Sequence, residues 1–177
     1  MPFTPYHFGP GLLLGVVLFP FLDFSTVMVA CVILDIEPLS VIIFHLPFAA
    51  HGFFHTYLAA TIVAVLLSLV IRPMKGYLNS IVSFFGLRQE STFRHILPAS
   101  IIGTYSHVFL DSLLYPEMNP FYPLIGNPFV GFFQDAFVYD ACVFLGMLGF
   151  GVYIVRVLFL QLKKNQIEIE EDVLSKA

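Results

Sequence analysis

Charge is what this sequence has least of. Only 11% of its 177 residues are Asp, Glu, Lys or Arg, against 58% hydrophobic residues, and the mean hydropathy is +0.88. Soluble domains carry roughly 25% charged residues, so the composition excludes an ordinary water-soluble domain and predicts an integral membrane protein. No basic patch is present, which excludes a nucleic-acid surface. The net charge of −4 is small, and much of it lies in Glu168-Ile169-Glu170-Glu171-Asp172. Cysteine is nearly absent. Cys31 and Cys142 both fall in apolar runs and are read as small buried apolar residues. The N-terminus, Met1-Pro2-Phe3-Thr4-Pro5, lacks the basic region of a cleavable signal and is expected to be retained. With no internal repeat and no low-complexity segment, one domain is expected over residues 1–165. An acidic polar tail over 166–177 is expected to be solvated and partly disordered.

The apolar runs then set the architecture. Residues 9–21 and 24–34 are apolar but short, separated by Pro20 and Asp23 and closed by Asp35-Ile36-Glu37-Pro38. At 1.5 Å per residue each covers roughly 15–20 Å, less than the ~30 Å hydrocarbon core. They predict a half-spanning hairpin or two short helices packed in a bundle. Residues 39–46 form another apolar stretch, stopped by Pro47. Residues 55–71 nearly span and stop at Arg72-Pro73-Met74-Lys75, after which 76–87 is expected to lie on the membrane as an interfacial helix. Residues 93–115 predict a spanning helix with Pro98 as a kink. Residues 116–131 hold four prolines and no Lys or Arg, and read as an ordered loop. Residues 132–162 predict a last helix that projects beyond the bilayer. The expected fold class is therefore an all-α, polytopic helical membrane protein with about four to six transmembrane or half-spanning helices.

Orientation follows from the basic residues. Arg72, Lys75, Arg88 and Arg94 share one loop, and Arg156, Lys163 and Lys164 lie towards the C-terminus. Placing both groups in the cytoplasm puts the 116–131 loop outside. His7, the Asp35/Glu37 element, His51/His55 and His107/Asp111 are then all expected near the outer face. Nothing about helix formation requires that agreement. Ionisable groups within membrane helices are costly and are usually buried, paired and functional. His51/His55 and His107/Asp111 are each spaced i, i+4, so each pair can share a ligand from one helix face. His45 and His95 are read as ordinary satisfied histidines.

Imidazole and carboxylate ligands fit a divalent metal such as zinc, and also manganese or iron, as one ion or two. His55, His107, Asp111 and Asp35 fill one expected site. His7 and His51 with a bridging carboxylate fill a second. Asp35 or Glu37 is the candidate general base where it is not itself a ligand, with Asp35 favoured because it is two residues closer to the apolar helix and Glu37 is followed at once by Pro38. Glu117 and Asn119 are candidates for substrate contact, and Asp140 for supporting a ligand histidine. A structural polar cluster and a proton or cation relay are the alternatives to metal binding. No cysteine stands among the candidates, which argues against a structural thiolate-type zinc site.

The order His7, Leu34-Asp35-Ile36-Glu37, His51-Gly52-Phe53-Phe54-His55-Thr56 and His107-Val108-Phe109-Leu110-Asp111 resembles the YdjM-like family of predicted membrane-bound metal-dependent hydrolases. More faintly it resembles the zinc-dependent phospholipases C. The family carries an early His, Pro-Asp-x-Asp, His-Arg-Gly-x-Thr-His-Ser and a later His-x-x-x-Asp. Here Leu34 replaces the Pro, Glu37 the second Asp and Gly52 the Arg, and the two histidines are four residues apart rather than five. The resemblance implies a membrane-embedded hydrolase in a prokaryotic cytoplasmic membrane. The expected function is metal-dependent hydrolysis of a lipid phosphoester at the outer leaflet. The alternatives are a non-enzymatic membrane subunit and a small proton or cation transporter. The transporter is disfavoured because no buried ionisable chain is expected in the cytoplasmic half.

Overall fold

The computed structural model describes residues 5–176, so the expectation about a retained N-terminus concerns Met1–Thr4, outside the described residues. Regular structure among the described residues is entirely helical. Helices α1 (Pro5–Val17) and α2 (Phe24–Ala30) form an antiparallel hairpin. A 3-10 turn at Ile33–Asp35 leads into α3 (Ile36–Ile43). A second 3-10 turn at Phe53–His55 precedes α4 (Tyr57–Ser83), and α5 (Phe93–Ser112) and α6 (Asp135–Lys176) follow. Three stretches are long and apolar enough to cross a membrane: Phe24–Ile43, Tyr57–Ser83 and Asp135–Glu171.

Small residues set how closely the helices approach. On the α1–α6 seam a Cβ at Gly9 would collide with the Cys142 carbonyl, and one at Gly149 would lie 2.7 Å from the backbone nitrogen of Leu13. Between α5 and α2, a Cβ at Gly103 would overlap that of Ala30. Such contacts bring backbones together where lipid gives little hydrophobic drive. Hydroxyls join α4 to α5: Ser68 Oγ donates to Ser100 Oγ at 3.0 Å, and Tyr105 Oη and Thr61 Oγ1 are 2.8 Å apart. The outward faces are strongly apolar. Ile62, Leu66 and Leu69 on α4 and Phe144, Met147 and Phe150 on α6 are all exposed. Apolar surface on this scale marks an interaction with lipid or protein.

Asp23 anchors the turn between α1 and α2. Its Oδ1 caps α2, accepting from Thr26 N (2.9 Å), Thr26 Oγ1 (2.6 Å) and Ser25 Oγ (2.7 Å). Its Oδ2 pairs with Lys75 Nζ. Gln89 ties the same turn to the α4–α5 loop, donating to the carbonyls of Phe19 (2.6 Å) and Leu22 (3.0 Å) and accepting from Phe24 N (2.7 Å). This network corrects two expectations. First, α4 does not stop at Pro73, and 76–87 is not a separate interfacial helix. Lys75 and Asn79, one turn apart, fasten the segment to Asp23 and to the Gln89 carbonyl (2.8 Å), and that pairing outweighs the one backbone bond a proline removes. Second, the half of the bundle where no chain of buried ionisable residues is expected holds one buried ion pair, Asp23 with Lys75.

Three local details also emerge. His45 is the one non-glycine described residue with positive φ, +49°. It closes α3 in a Schellman arrangement, with Leu46 N–H bonded to the Val41 carbonyl at 3.0 Å and His45 N–H to that of Ile42 at 3.4 Å. His95 accepts from Thr92 N–H at 3.2 Å and so helps cap α5. The tail is not an irregular end. Helix α6 continues through it to Lys176, supported at i, i+4 by Lys164 and Glu168 at 3.6 Å.

Replacing Lys75 by Met leaves a buried carboxylate unpaired and is expected to cost about 3–5 kcal/mol at neutral pH. Burial alone would raise the Asp23 carboxyl. Lys75 and the hydroxyls of Ser25, Ser91 and Thr26 overcome that and hold it at about 2, below the ordinary 3.8. The stability this contributes is complete above the unfolded value and is lost as pH falls through about 2. Thermal unfolding of wild type and Lys75→Met in detergent should therefore differ most at neutral pH, and the difference should shrink as pH falls and vanish towards pH ~2, where Asp23 is protonated in both.

Candidate metal centre

The opposite end of the bundle gathers a buried polar cluster. His7 comes from the first turn of α1, and Asp35 from the 3-10 turn after α2. His51 and His55 come from the segment before α4, and His107 and Asp111 from the last two turns of α5. His7, His51, His55, His107 and Asp111 are each at most 3% exposed. Asp111 Oδ1 lies 3.2 Å from His7 Nε2. Its Oδ2 lies 3.2 Å from His107 Nε2 and 3.4 Å from His55 Nε2. Asp35 Oδ1 is 3.8 Å from His107 Nε2. One carboxylate thus faces three imidazoles.

The rings are held so that Nε2 points inward. His107 Nδ1–H donates to the Cys31 carbonyl at 2.7 Å. That carbonyl lies at the C-cap of α2, where the helix ends and the chain passes into a 3-10 turn. The approach depends on Gly103, one turn earlier on α5, lying directly against Ala30. His55 Nδ1 is 2.7 Å from Glu37 Oε2. The other Glu37 contacts are backbone N–H groups of Gly52 (3.2 Å) and Phe54 (3.3 Å). His51 Nδ1 lies 3.3 Å from Glu117 Oε1, and the ring stacks on Tyr115 with centroids 3.7 Å apart. His7 stacks on His107 at 4.0 Å. An outer acceptor on Nδ1 fixes the tautomer and leaves Nε2 free as a ligand, the usual support of metal-bound histidine.

Inward-facing atoms lack satisfactory partners among themselves. Both Asp111 oxygens, both His7 nitrogens and Asp35 Oδ2 are buried without a hydrogen bond. With both Nδ1 atoms turned to outer acceptors, the 3.3 Å contact between His55 Nε2 and His107 Nε2 requires a proton or a metal ion between them. Burial alone would lower the His55 imidazole, but Asp111 and Glu37 raise it to about 9. His51 is pushed down, mainly by burial. The field at this point therefore favours positive charge.

Two overlapping groups have one ligand atom per residue within 4.8 Å of all the others: His7, Asp35, His107 and Asp111, and His51, His55 and Asp111. Zinc bonds of roughly 2.0–2.2 Å place opposite ligands at most about 4.4 Å apart. Small inward shifts suffice, so these buried groups can hold a metal ion. Asp111 belongs to both groups and is the natural bridging carboxylate.

The sequence expectations are rearranged in several respects. Only His7 and His55 change places relative to the expected partition: His7 stands with Asp35, His107 and Asp111, and His55 with His51 and Asp111. His51 and His55 do not share a helix face, because both precede α4 and only the 3-10 turn carries His55 inward. Glu37 is not placed as a general base: it lies behind His55 with its oxygens engaged, and acts by orienting that ring. Glu117 supports His51. Asn119 shapes the loop, accepting from Gly126 N–H at 2.7 Å. Asp140 is exposed on α6 and supports no ligand histidine. Tyr115 was missed. Its hydroxyl is buried without a hydrogen bond, and its acidity is suppressed by burial and by the Asp111 charge. No sequence pattern marks a tyrosine four residues past Asp111. No protein family, curated protein or solved structure matches this chain.

Three substitutions separate these roles. Asp111→Asn should cost metal occupancy with little loss of fold, because the amide keeps the size but not the charge. Glu37→Gln should weaken metal affinity roughly 10–100-fold, the usual effect of removing an outer partner. Gly103→Ala should weaken it too, by forcing α5 from α2 and His107 from Cys31. Elemental analysis with thermal unfolding in detergent reads all three. Unchanged metal content in Asp111→Asn would remove Asp111 as a ligand.

Proposed function

We propose that the chain is an integral membrane protein of the YdjM-like kind, a metal-dependent hydrolase of lipid phosphoesters whose centre faces the outer leaflet. The observation that carries this reading is Asp111, a fully buried carboxylate shared by two ligand groups whose histidines are braced from behind. Two ions about 3.5–4 Å apart, bridged by one carboxylate, are the common arrangement for phosphoester hydrolysis. Zinc suits the His/Asp set best, with manganese or iron next.

Orientation is supported by charge. Every Lys and Arg lies away from the centre: Arg72, Lys75, Arg88 and Arg94 at or beyond the far part of α4 and the start of α5, and the others from Arg156 onward. The segments around the centre, 44–56 and 113–134, contain none. By the positive-inside rule this asymmetry supports an outward-facing centre. A lipid substrate is supported by the rim, where Phe44, Phe48 and Phe53, and across from them Leu124, Ile125 and Phe132, are exposed. A soluble nucleotide would meet an apolar rim with no cation for its phosphates.

The residues then divide the work. His7, His107 and Asp111 would hold one ion and His51 and His55 the other with Asp111, with Asp35 beside the first. Bound divalent ions supply Lewis acidity towards phosphoryl oxygens and lower the pKa of water. Asp35 has one oxygen towards His107 and the other, Oδ2, buried and unpartnered, which suits it to accept the proton of the attacking water. The Tyr115 hydroxyl is a donor for a phosphoryl oxygen. Glu37, Glu117 and the Cys31 carbonyl keep the rings in place.

Metal-loaded protein in liposomes should hydrolyse some member of a panel of phospholipids and isoprenoid phosphates, and a chelator should abolish turnover. Asp35→Asn should lower it by roughly 10²–10⁴-fold, the range for removal of a general base. No turnover across the panel with metal bound would replace this reading with a non-enzymatic metal-binding subunit.

A further inference from the structure

Beside the centre lies a cavity of about 590 Å³ between α3 and the segment that leads into α4. Its walls include Ile36, Val41, Leu46, Phe48 and Phe54, with Val63 of α4 at its base. Its polar side chains are Glu37 and Ser40, and neither is free. Glu37 is held by His55, Gly52 and Phe54, and Ser40 Oγ donates to the Ile36 carbonyl at 2.6 Å. An occupant therefore meets mainly hydrocarbon, and a strongly polar ligand would leave most of its own groups unsatisfied.

Size narrows the occupant. The volume falls within the ~300–1,000 Å³ range of small-molecule sites and is too small for a partner helix of ~10 Å diameter. Position narrows it further. Glu37 and Gly52 both line the cavity and brace His55, so the cavity's inner wall is the outer support of the centre. A Cβ at Gly52 would come within 2.9 Å of Glu37 Oε1, so this wall admits no larger side chain without disturbing His55. The walls continue outward into exposed Phe48, Phe53 and Ile36.

We propose that this cavity is an acyl- or prenyl-chain site: it receives one hydrocarbon chain of the lipid phosphoester whose headgroup engages the centre. The proposal rests on the hydrolase reading for the headgroup, while the chain site itself is read from the cavity. It makes the substrate class a long-chain lipid phosphoester, with chain length selected here and not at the metals.

The test uses the full chain, metal-loaded, in phosphatidylcholine liposomes doped with a phospholipid that carries a diazirine within one acyl chain. Photolysis and peptide mapping are expected to label residues 36–41 and 46–54 several-fold above the exposed apolar face of α6 around Phe144 and Phe150. Ala49→Trp, which narrows the cavity from an exposed position, should remove that excess while metal content and thermal stability stay unchanged. Val63→Trp is a second filling variant from the opposite wall. Labelling in proportion to exposure alone, or an excess that survives both variants in folded protein, overturns the chain site. Turnover separates the two readings. Cavity labelling without hydrolysis of any phosphoester would sink the hydrolase and leave the chain site standing. Equal hydrolysis of long-chain and short-chain substrates, insensitive to Ala49→Trp, would sink the chain site and leave the hydrolase.

Discussion

A carboxylate removed completely from water governs this molecule. Asp111 is fully buried and sits one turn from the end of α5, facing His7, His55 and His107. Removing such a charge from water costs several kcal/mol even after relaxation, and the cost must be met by groups from elsewhere in the chain. They come from α1, from the turn before α4 and from α5 itself. The convergence of those segments is thus an electrostatic requirement as much as a packing outcome. A divalent cation would satisfy it more fully than the imidazoles do among themselves, because both Asp111 oxygens lack a hydrogen bond.

Close helix approach makes that convergence possible. Gly103 against Ala30 brings α5 onto α2, and His107 then reaches a carbonyl that α2 leaves free at its end. Gly9 and Gly149 do the same for α1 and α6, holding the helix that carries His7. At the other pole, Asp23 and Lys75 fix the return of the α1–α2 hairpin and so the depth at which His7 and Asp35 come level. Each pole is a buried carboxylate answered from a distant segment. At Asp23 the answer is a fixed cation, Lys75, with two hydroxyls and a backbone N–H. At Asp111 it is imidazoles alone, and that difference separates a structural pair from a site able to take a ligand.

How much of this the sequence discloses depends on whether the deciding contact is local. Low charge and the placement of apolar runs predict an all-helical chain with spanning segments, and three stretches long and apolar enough to span are present among the described residues, although α5, expected to be one, is not among them. His107 and Asp111 do lie on one helix face because both belong to α5. His51 and His55 have the same spacing but no shared helix, since Gly52 and the 3-10 turn intervene. Periodicity alone cannot tell these cases apart. Pro73 reads as a stop because a proline's local cost is visible, whereas the distant partners that carry α4 past it, Asp23 and Gln89, are not. Glu37 reads as a base because it neighbours Asp35. Its role is set by His55, eighteen residues away. Tyr115 escapes notice for the same reason, as its significance lies in stacking on His51. Asp140 shows the converse, a carboxylate at a plausible depth on a helix face that turns outward.

Lys and Arg are absent from the end of the bundle that holds the centre. The described acidic residues near the centre, Asp35, Glu37, Asp111 and Glu117, are accompanied by histidines alone, whereas Lys and Arg are confined elsewhere. Histidine can release its proton to a metal near neutral pH, but lysine and arginine would occupy the cation's place permanently. A cluster built only for stability would gain from an arginine, which answers a buried carboxylate bidentately and cannot be deprotonated. Using four imidazoles instead gives up some of that permanence and keeps the inner nitrogens exchangeable. The chemistry of the cluster is therefore that of a site able to hold a cation rather than one already closed by a permanent charge.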